Sequence, residues 1–308
     1  MKAAALAGLS RVLPGGVQTW YAVCMEIRSL LTTAINAALA AGDKILEVYE
    51  SDDFDVEIKK DNSPLTRADL VSHETISRIL TDETPGIPIL GEEGREIPYG
   101  ERKSWSVFWL VDPLDGTKEF VKKNGEFTVN IALIKDKHAV LGVLYVPVKD
   151  IIYFAAEGIG SFRAESAAKH AAAAGREDGG RGVAGLLDAA VKLPLDDGRK
   201  IPPVKIVASR SHFTPETEQY VEKIRSAHGS VDLVNAGSSL KICLVAEGAA
   251  DVYPRFGPTM EWDVAAGQII AEEAGCTVTD AETRGRLAYN KKELLNPYFI
   301  VERAGWNT

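Results

Sequence analysis

A chain of 308 residues with 45% hydrophobic side chains is long enough to bury a large core, as one domain or as two closely packed ones, and reads as a soluble globular protein. Its formal net charge of −9, with no Lys/Arg block and no basic helix, excludes a nucleic-acid-binding surface. An acidic chain that handles a phosphorylated substrate needs cations at its site.

Met1 to Gln18 hold a short apolar patch broken by Ser10, Arg11 and Pro14-Gly15-Gly16. It is too short for a secretory signal, and no apolar run in the chain is long enough to span a bilayer. Residues 1–24 read as an N-terminal extension, with Met25 as a candidate start. Cys24, Cys243 and Cys276 are odd in number and widely spaced, the pattern of reduced thiols in a cytoplasmic protein. From Ile27, apolar residues recur at Leu31, Ile35, Ala38, Ile45 and Tyr49, which predicts one long amphipathic helix. Asp53 to Lys60 alternates as a strand with Phe54, Val56 and Ile58 on one face, and Ser63-Pro64-Leu65 is a turn. Thr66-Arg67-Ala68-Asp69 has capping-box form, opening a helix to about Leu80 with Leu70, Ile76, Ile79 and Leu80 inward. Ile87 to Leu90 is a short strand that runs into Gly91-Glu92-Glu93-Gly94.

The apolar run Val107 to Val111 predicts a buried strand that ends at Asp112, because Pro113 cannot donate to a sheet ladder. Asp115 follows three residues later, and Gly116 permits backbone geometry that a β-carbon hinders. Two carboxylates facing one small volume repel unless a proton or a hard cation lies between them. A solvated Asp-Pro and Asp-Gly turn is the alternative, and this stretch alone leaves both open.

Phe127 to Ile134, Ala139 to Val146 and Ile151 to Ala155 are expected to form an antiparallel meander. Residues 164–203 turn to Ala, Gly, Arg and Asp with weak periodicity and read as a surface insertion, partly without regular structure and without catalytic residues. Beyond it, strands are expected at Val204 to Ala208, Val231 to Val234, Asp251 to Arg255, Thr277 to Thr279 and Tyr298 to Val301. Helices are expected at Pro215 to Ala227, Ser238 to Glu247 and Glu261 to Ala274. Residues 25–163 and 204–308 are thus the two regular stretches on either side of the insertion.

Four acids, Glu92, Asp112, Asp115 and Asp263, each follow a strand or open a helix, where the sites of layered α/β folds gather. Each also has an ordinary reading when taken singly: Glu92 as a solvated loop acid, Asp263 as a helix cap, and Asp69 in its capping box. Thr117 could be a turn residue bonded to backbone.

Gly91-Glu92-Glu93, Asp112-Pro113-Leu114-Asp115-Gly116-Thr117 and Trp262-Asp263-Val264-Ala265-Ala266-Gly267 together resemble the three signatures of the inositol monophosphatase superfamily of magnesium-dependent, lithium-sensitive phosphatases. Lys118-Glu119-Phe120, Asn124 to Ile134, Gly237-Ser238-Ser239-Leu240-Lys241 and Tyr253-Pro254-Arg255-Phe256-Gly257-Pro258 are similar to its bacterial 3'(2'),5'-bisphosphate nucleotidase branch. The resemblance covers Met25 to Arg163 and Val204 to Val301, and implies an α/β/α/β/α sandwich built as one compact unit, with a metal-binding half at 25–163 and a substrate-binding half at 204–308. It implies one magnesium ion on Glu92, Asp112 and the Leu114 carbonyl and a second on Asp112, Asp115 and Asp263, with a third held loosely at Glu92 in some relatives. Asp69 and Thr117 match the family's water-activating pair, and Glu92 counts with them as catalytic.

By the same resemblance Leu114, Asp115, Gly116, Thr117 and Asp263 border the phosphate to be cleaved. Gly237, Ser238 and Lys241 match substrate-phosphate contacts, with Ser239 as a further donor, and His212 matches a position near the base or ribose. Arg255 stands where inositol-specific relatives carry a carboxylate, and a guanidinium suits a second phosphate. The implied substrate is adenosine 3',5'-bisphosphate, with its 5'-phosphosulfate analogue as a second candidate, in a cytoplasmic enzyme. A homodimer and peripheral attachment to the cytoplasmic face of the inner membrane are options the resemblance leaves open. So are an inositol or broad sugar phosphatase, and a catalytically silent nucleotide-binding regulator.

Overall fold

A computed structural model describes residues 15–51, 54–58, 64–174, 183–195, 203–208 and 214–306, with side chains in the first helix described from residue 27 onward. The expected residue His212 lies outside the described residues. In chain order the elements are α1 (Gly15–Ser51), β1 (Glu57–Ile58), β2 (Pro64–Leu65), α2 (Arg67–Glu83), β3 (Ile89–Gly91), α3 (Tyr99–Arg102), β4 (Val107–Asp115) and α4 (Thr117–Val121). Then come β5 (Thr128–Lys135), β6 (His138–Val146), β7 (Ile151–Ala156), β8 (Gly160–Glu165), α5 (Ala167–Ala174), α6 (Ala184–Ala189) and β9 (Val191–Lys192). The remainder are β10 (Val204–Ala208), α7 (Pro215–His228), β11 (Val231–Asn235), α8 (Leu240–Ala246), β12 (Val252–Arg255), α9 (Glu261–Glu273), β13 (Thr277–Asp280) and β14 (Phe299–Glu302).

Strands β3 to β9 form one sheet in sequence order, antiparallel throughout except for the parallel pair β3–β4. A five-stranded sheet follows, ordered β11-β10-β12-β14-β13. Helices α1 and α2 cover one face of the first sheet, α8 and α9 lie between the sheets, and α7 closes the far side. This is the layered α/β/α/β/α sandwich expected. Both faces of β4 to β7 are buried, so these strands read as largely apolar runs. Along β6, Leu141, Val143 and Tyr145 face the core under α1, while Leu144 and Val146 join the core shared with α8 and α9.

Gly142 faces α9. A Cβ there would lie 2.5 Å from the Ala266 carbonyl oxygen and 2.6 Å from Ile269 Cγ2, so the helix packs on bare backbone. Gly142→Val must push α9 off the sheet; a loss of about 2–3 kcal/mol in urea unfolding is expected, the upper range for overpacking. Because α9 carries Asp263, cation binding should weaken alongside.

Several expectations are corrected. Helix α1 begins at Gly15, within the segment read as an extension. The strand expected over Asp53 to Lys60 is described only at β1, paired with β2 where a turn was expected, and Val56 and Ile58 are exposed. Leu70 is also exposed: the inward face of α2 is Asp69, Ser72, Ile76 and Leu80, a phase that two polar residues conceal. The short helix α3 and strand β8 were not foreseen. The described parts of 164–203 are more than surface. Ala167, Ala171 and Leu186 enter the first core, Leu193 the second, and β9 extends the sheet along β8. Cys243 and Cys276 are free, buried thiols. Among the described residues no helix is long and apolar enough to cross a membrane.

Candidate active site

The site begins with an irregularity in β4. Residues three apart on a regular strand point to opposite faces. Here Asp112 pairs with Asn130 and Asp115 with Thr128, so three steps on β4 match two on β5: a bulge with one extra residue. The bulge returns Asp115 to the face that Asp112 occupies. Pro113 lies inside it, where no ladder hydrogen bond is lost, so the strand continues past Asp112 to Asp115 instead of ending there. The Ser72 hydroxyl, buried on α2, donates to the Pro113 carbonyl at 2.7 Å and holds the bulge down. Gly116, at φ +93°, then turns the chain into α4.

Parallel pairing of Gly91 with Val111, and a hydrogen bond from the Glu92 amide to the Val111 carbonyl, set Glu92 level with Asp112. From the other side comes α9, with Asp263 in its first turn accepting from the Met260 amide at 2.8 Å. The carboxylates of Glu92, Asp112 and Asp263 each place an oxygen within 4.8 Å of the others. Asp115 stands at the same cleft, but its Oδ2 is taken by the amide of Ser239 at 2.6 Å and its hydroxyl at 2.5 Å. The ordinary readings of Asp69 and Asp263 as helix-start acids thus hold together with their place in the site. Asp69 Oδ2 accepts from the Thr66 amide and hydroxyl, while Oδ1 accepts from the Thr117 hydroxyl at 3.2 Å.

The electrostatics call for positive charge. Burial, then Glu92, Asp115 and Asp263, push the Asp112 carboxyl well above the usual carboxylate range. Burial and Asp115 do the same to Asp263. A cluster of carboxylates, Asp112 buried and Glu92 and Asp263 half-buried, with like charge opposing the ionised forms of Asp112 and Asp263, fits a hard divalent cation, which removes the repulsion and accepts oxygen ligands. The residues present therefore fit a metal ion of that class.

The cleft, about 400 Å³ in volume, also carries cationic side chains, set among Glu119 and Glu126. Lys241 and Arg255 line it with Ser238 and Tyr253. Burial brings the Lys241 amine down to about 8, against the pull of Asp115, and its Nζ sits 5.9 Å from the Tyr253 ring centroid. Arg255 Nε and Ser238 Oγ are buried without a hydrogen-bond partner. Gly237 and Ser238 precede the helix instead of opening it; α8 starts at Leu240. No described residue of 164–203 lines the cleft. Thr128 and Asn130, buried opposite the two aspartates, were missed; their signal is the polar alternation Thr128-Val129-Asn130 within an apolar strand.

Residues 26–304 match the model of the inositol monophosphatase family. The chain belongs to that family. It is 43% identical over 277 residues to the 3'(2'),5'-bisphosphate nucleotidase CysQ of Escherichia coli (strain K12), covering 88% of this chain and 99% of the relative. To the CysQ of Haemophilus influenzae it is 32% identical, covering 88% and 92%. The crystal structure of CysQ from Bacteroides thetaiotaomicron superposes with a TM-score of 0.79 at 52% identity, over 89% of this chain and 97% of that one. The extragenic suppressor protein suhB from Bartonella henselae gives 0.68 at 25%, over 89% and 94%.

Proposed function

We propose that this chain is a 3'(2'),5'-bisphosphate nucleotidase that hydrolyses the 3'-phosphate of adenosine 3',5'-bisphosphate to AMP and phosphate. The observation that carries this reading is the pairing, in one cleft, of the acid cluster with Lys241 and Arg255. Among the described residues Lys241 Nζ is held only by a long 3.4 Å contact to the Ala236 carbonyl, and Arg255 Nε has no partner although its Nη2 donates to the Pro258 carbonyl, so both cations suit a second phosphate. The nucleotidase names of its relatives support it. Glu92, Asp112, Asp115, Asp263 and the Leu114 carbonyl would hold magnesium, which supplies Lewis-acid polarisation and offsets the charge that develops on the phosphate.

The chain's own residues do the rest. Thr117 donates its proton to Asp69, which leaves its oxygen lone pairs to receive a proton from an attacking water and relay it to that carboxylate. Two donors from Thr66 fix the other oxygen of Asp69, so the relay does not depend on a mobile acid. No covalent intermediate with the protein is required. Lys241, Arg255 and Ser238 grip the phosphate that stays behind.

That grip is made in the ground state as well as the transition state, so its loss should appear in KM more than in kcat. Each charge-assisted contact is worth about 1.5–3 kcal/mol, or roughly ten- to a hundredfold. Lys241→Ala and Arg255→Ala should therefore lower kcat/KM strongly for adenosine 3',5'-bisphosphate and little for inositol phosphate, which has no second phosphate. A wild type that prefers inositol phosphate, or equal losses on both substrates, moves the reading to an inositol or sugar phosphatase. Phosphate release with magnesium over that panel, with the 5'-phosphosulfate analogue included, decides between them.

A further inference from the structure

We infer that Ser239, backed by Asn130, is a positioning residue that fixes Asp115 as a cation ligand and does not meet substrate. This rests on the reading of Asp115 as a ligand. Ser239 is almost fully buried, and both of its donors are committed: its amide and its hydroxyl lie 2.6 and 2.5 Å from the same atom, Asp115 Oδ2. Its Oγ is also 2.5 Å from the Asp263 carbonyl oxygen, so the one hydroxyl proton is shared between the Asp115 carboxylate on β4 and the backbone of α9, the helix that brings Asp263.

Asn130, buried and paired directly with Asp112 across the strands, donates from Nδ2 to Ser239 Oγ at 3.0 Å. That donation occupies a lone pair of the hydroxyl and directs its proton away from Asn130, towards Asp115 Oδ2 and the Asp263 carbonyl. Hydrogen bonds in such a chain strengthen one another, and this one ends on a carboxylate. With Oδ2 held by two donors, Oδ1 is the oxygen of Asp115 left for a cation, and the carboxylate cannot rotate to offer both. Ser238, at φ +43°, sets the backbone so that the following amide points at Asp115. The two neighbouring serines therefore divide the work. Ser238 keeps an unpartnered hydroxyl for substrate, and Ser239 has none to give.

The test is direct titration of the metal-free protein with Mg2+ by calorimetry and with Mn2+ by water-proton relaxation. The variants are Ser239→Ala, Ser239→Thr, Asp115→Asn and the double variant Ser239→Ala/Asp115→Asn. Residues behind a metal ligand typically contribute 10- to 100-fold in metal affinity, so Ser239→Ala should bind the cation about tenfold more weakly. Ser239→Thr, which keeps the hydroxyl, should restore binding, and in the Asp115→Asn background Ser239→Ala should cost nothing further. In turnover kcat should fall at sub-saturating magnesium while KM for the bisphosphate stays put. Should Ser239→Ala not fold, Ser239→Cys keeps the volume with a weak donor and should show the same loss. Wild-type cation affinity in the Ala or Cys variant, or a loss that adds in full to that of Asp115→Asn, overturns the inference. Wild-type affinity in Asp115→Asn overturns instead the assignment of Asp115 as a ligand.

Discussion

Asp112→Asn should abolish magnesium-dependent phosphate release and, in the absence of metal, make the protein more stable than wild type. Both outcomes follow from one arrangement. Asp112 is buried beneath Glu92, Asp115 and Asp263, and its charge is opposed by burial and by each neighbour. An amide removes that repulsion and keeps an acceptor for the Leu114 amide, 3.0 Å from Oδ1. The same change removes the anionic oxygen most central to a cation, so the loss of activity should exceed the roughly 10- to 100-fold cost of altering a residue behind a ligand.

The pH dependence has a defined sign. Asp112 and Asp263 have folded-state values above their unfolded ones, so between the two the folded state binds more protons. Stability of the metal-free wild type therefore falls as pH rises from the ordinary carboxylate range through the raised folded values. Protons compete with the cation, so stabilisation by magnesium grows over that same interval. Melting curves with and without magnesium across pH check all three statements. An Asp112→Asn protein that still gains stability from magnesium as wild type does would refute the assignment.

The acids were legible as candidates because each ends a strand or opens a helix, but spacing alone left ordinary turn and cap readings open, and it is the resemblance to the phosphatase signatures that drew them into one site. Their convergence on one face was not legible from spacing, since it needs the bulge between Asp112 and Asp115, and a bulge is a property of two paired strands. Leu70 shows the same limit from the other side. Its apolar side chain suggested the inward face of α2, but Asp69 and Ser72 take that face because they serve Thr117 and the Pro113 carbonyl. Ser239 looked like a phosphate donor because a Gly-Ser-Ser turn offers amides and hydroxyls. Only the packing of that turn against Asp115 shows where its donors go. Composition likewise misplaced the Ala-rich segment, whose small side chains are what let α5 close on the core.

Glu261→Ala should cost about 3–5 kcal/mol of folding stability, because it strips the shared acceptor from two backbone amides of the 288–296 loop, each costing about 1–3 kcal/mol when left unsatisfied. Glu261 is fully buried at the first position of α9, and accepts from the Asn290 amide at 2.6 Å, the Lys291 amide at 3.0 Å and Lys291 Nζ at 2.6 Å. Its own amide donates to the Leu294 carbonyl, so the loop around 288–296 is laced to the start of the helix. Arg102, itself buried, locks the loop from α3, donating to Asn290 Oδ1 and to the carbonyls of Lys291 and Lys292. Removing the carboxylate leaves two backbone amides without their acceptor and an ammonium without its counter-charge. Lys291→Ala should cost far less, about 1–2 kcal/mol, because Glu261 keeps both amides. The asymmetry is the prediction, read from urea midpoints at unchanged slope. Asp263 lies two residues further along the same helix, so Glu261→Ala should also weaken cation binding while Lys291→Ala should leave it close to wild type. Equal destabilisation by the two variants would mean that the loop is held by its ion pair and not by the backbone donors that Glu261 gathers.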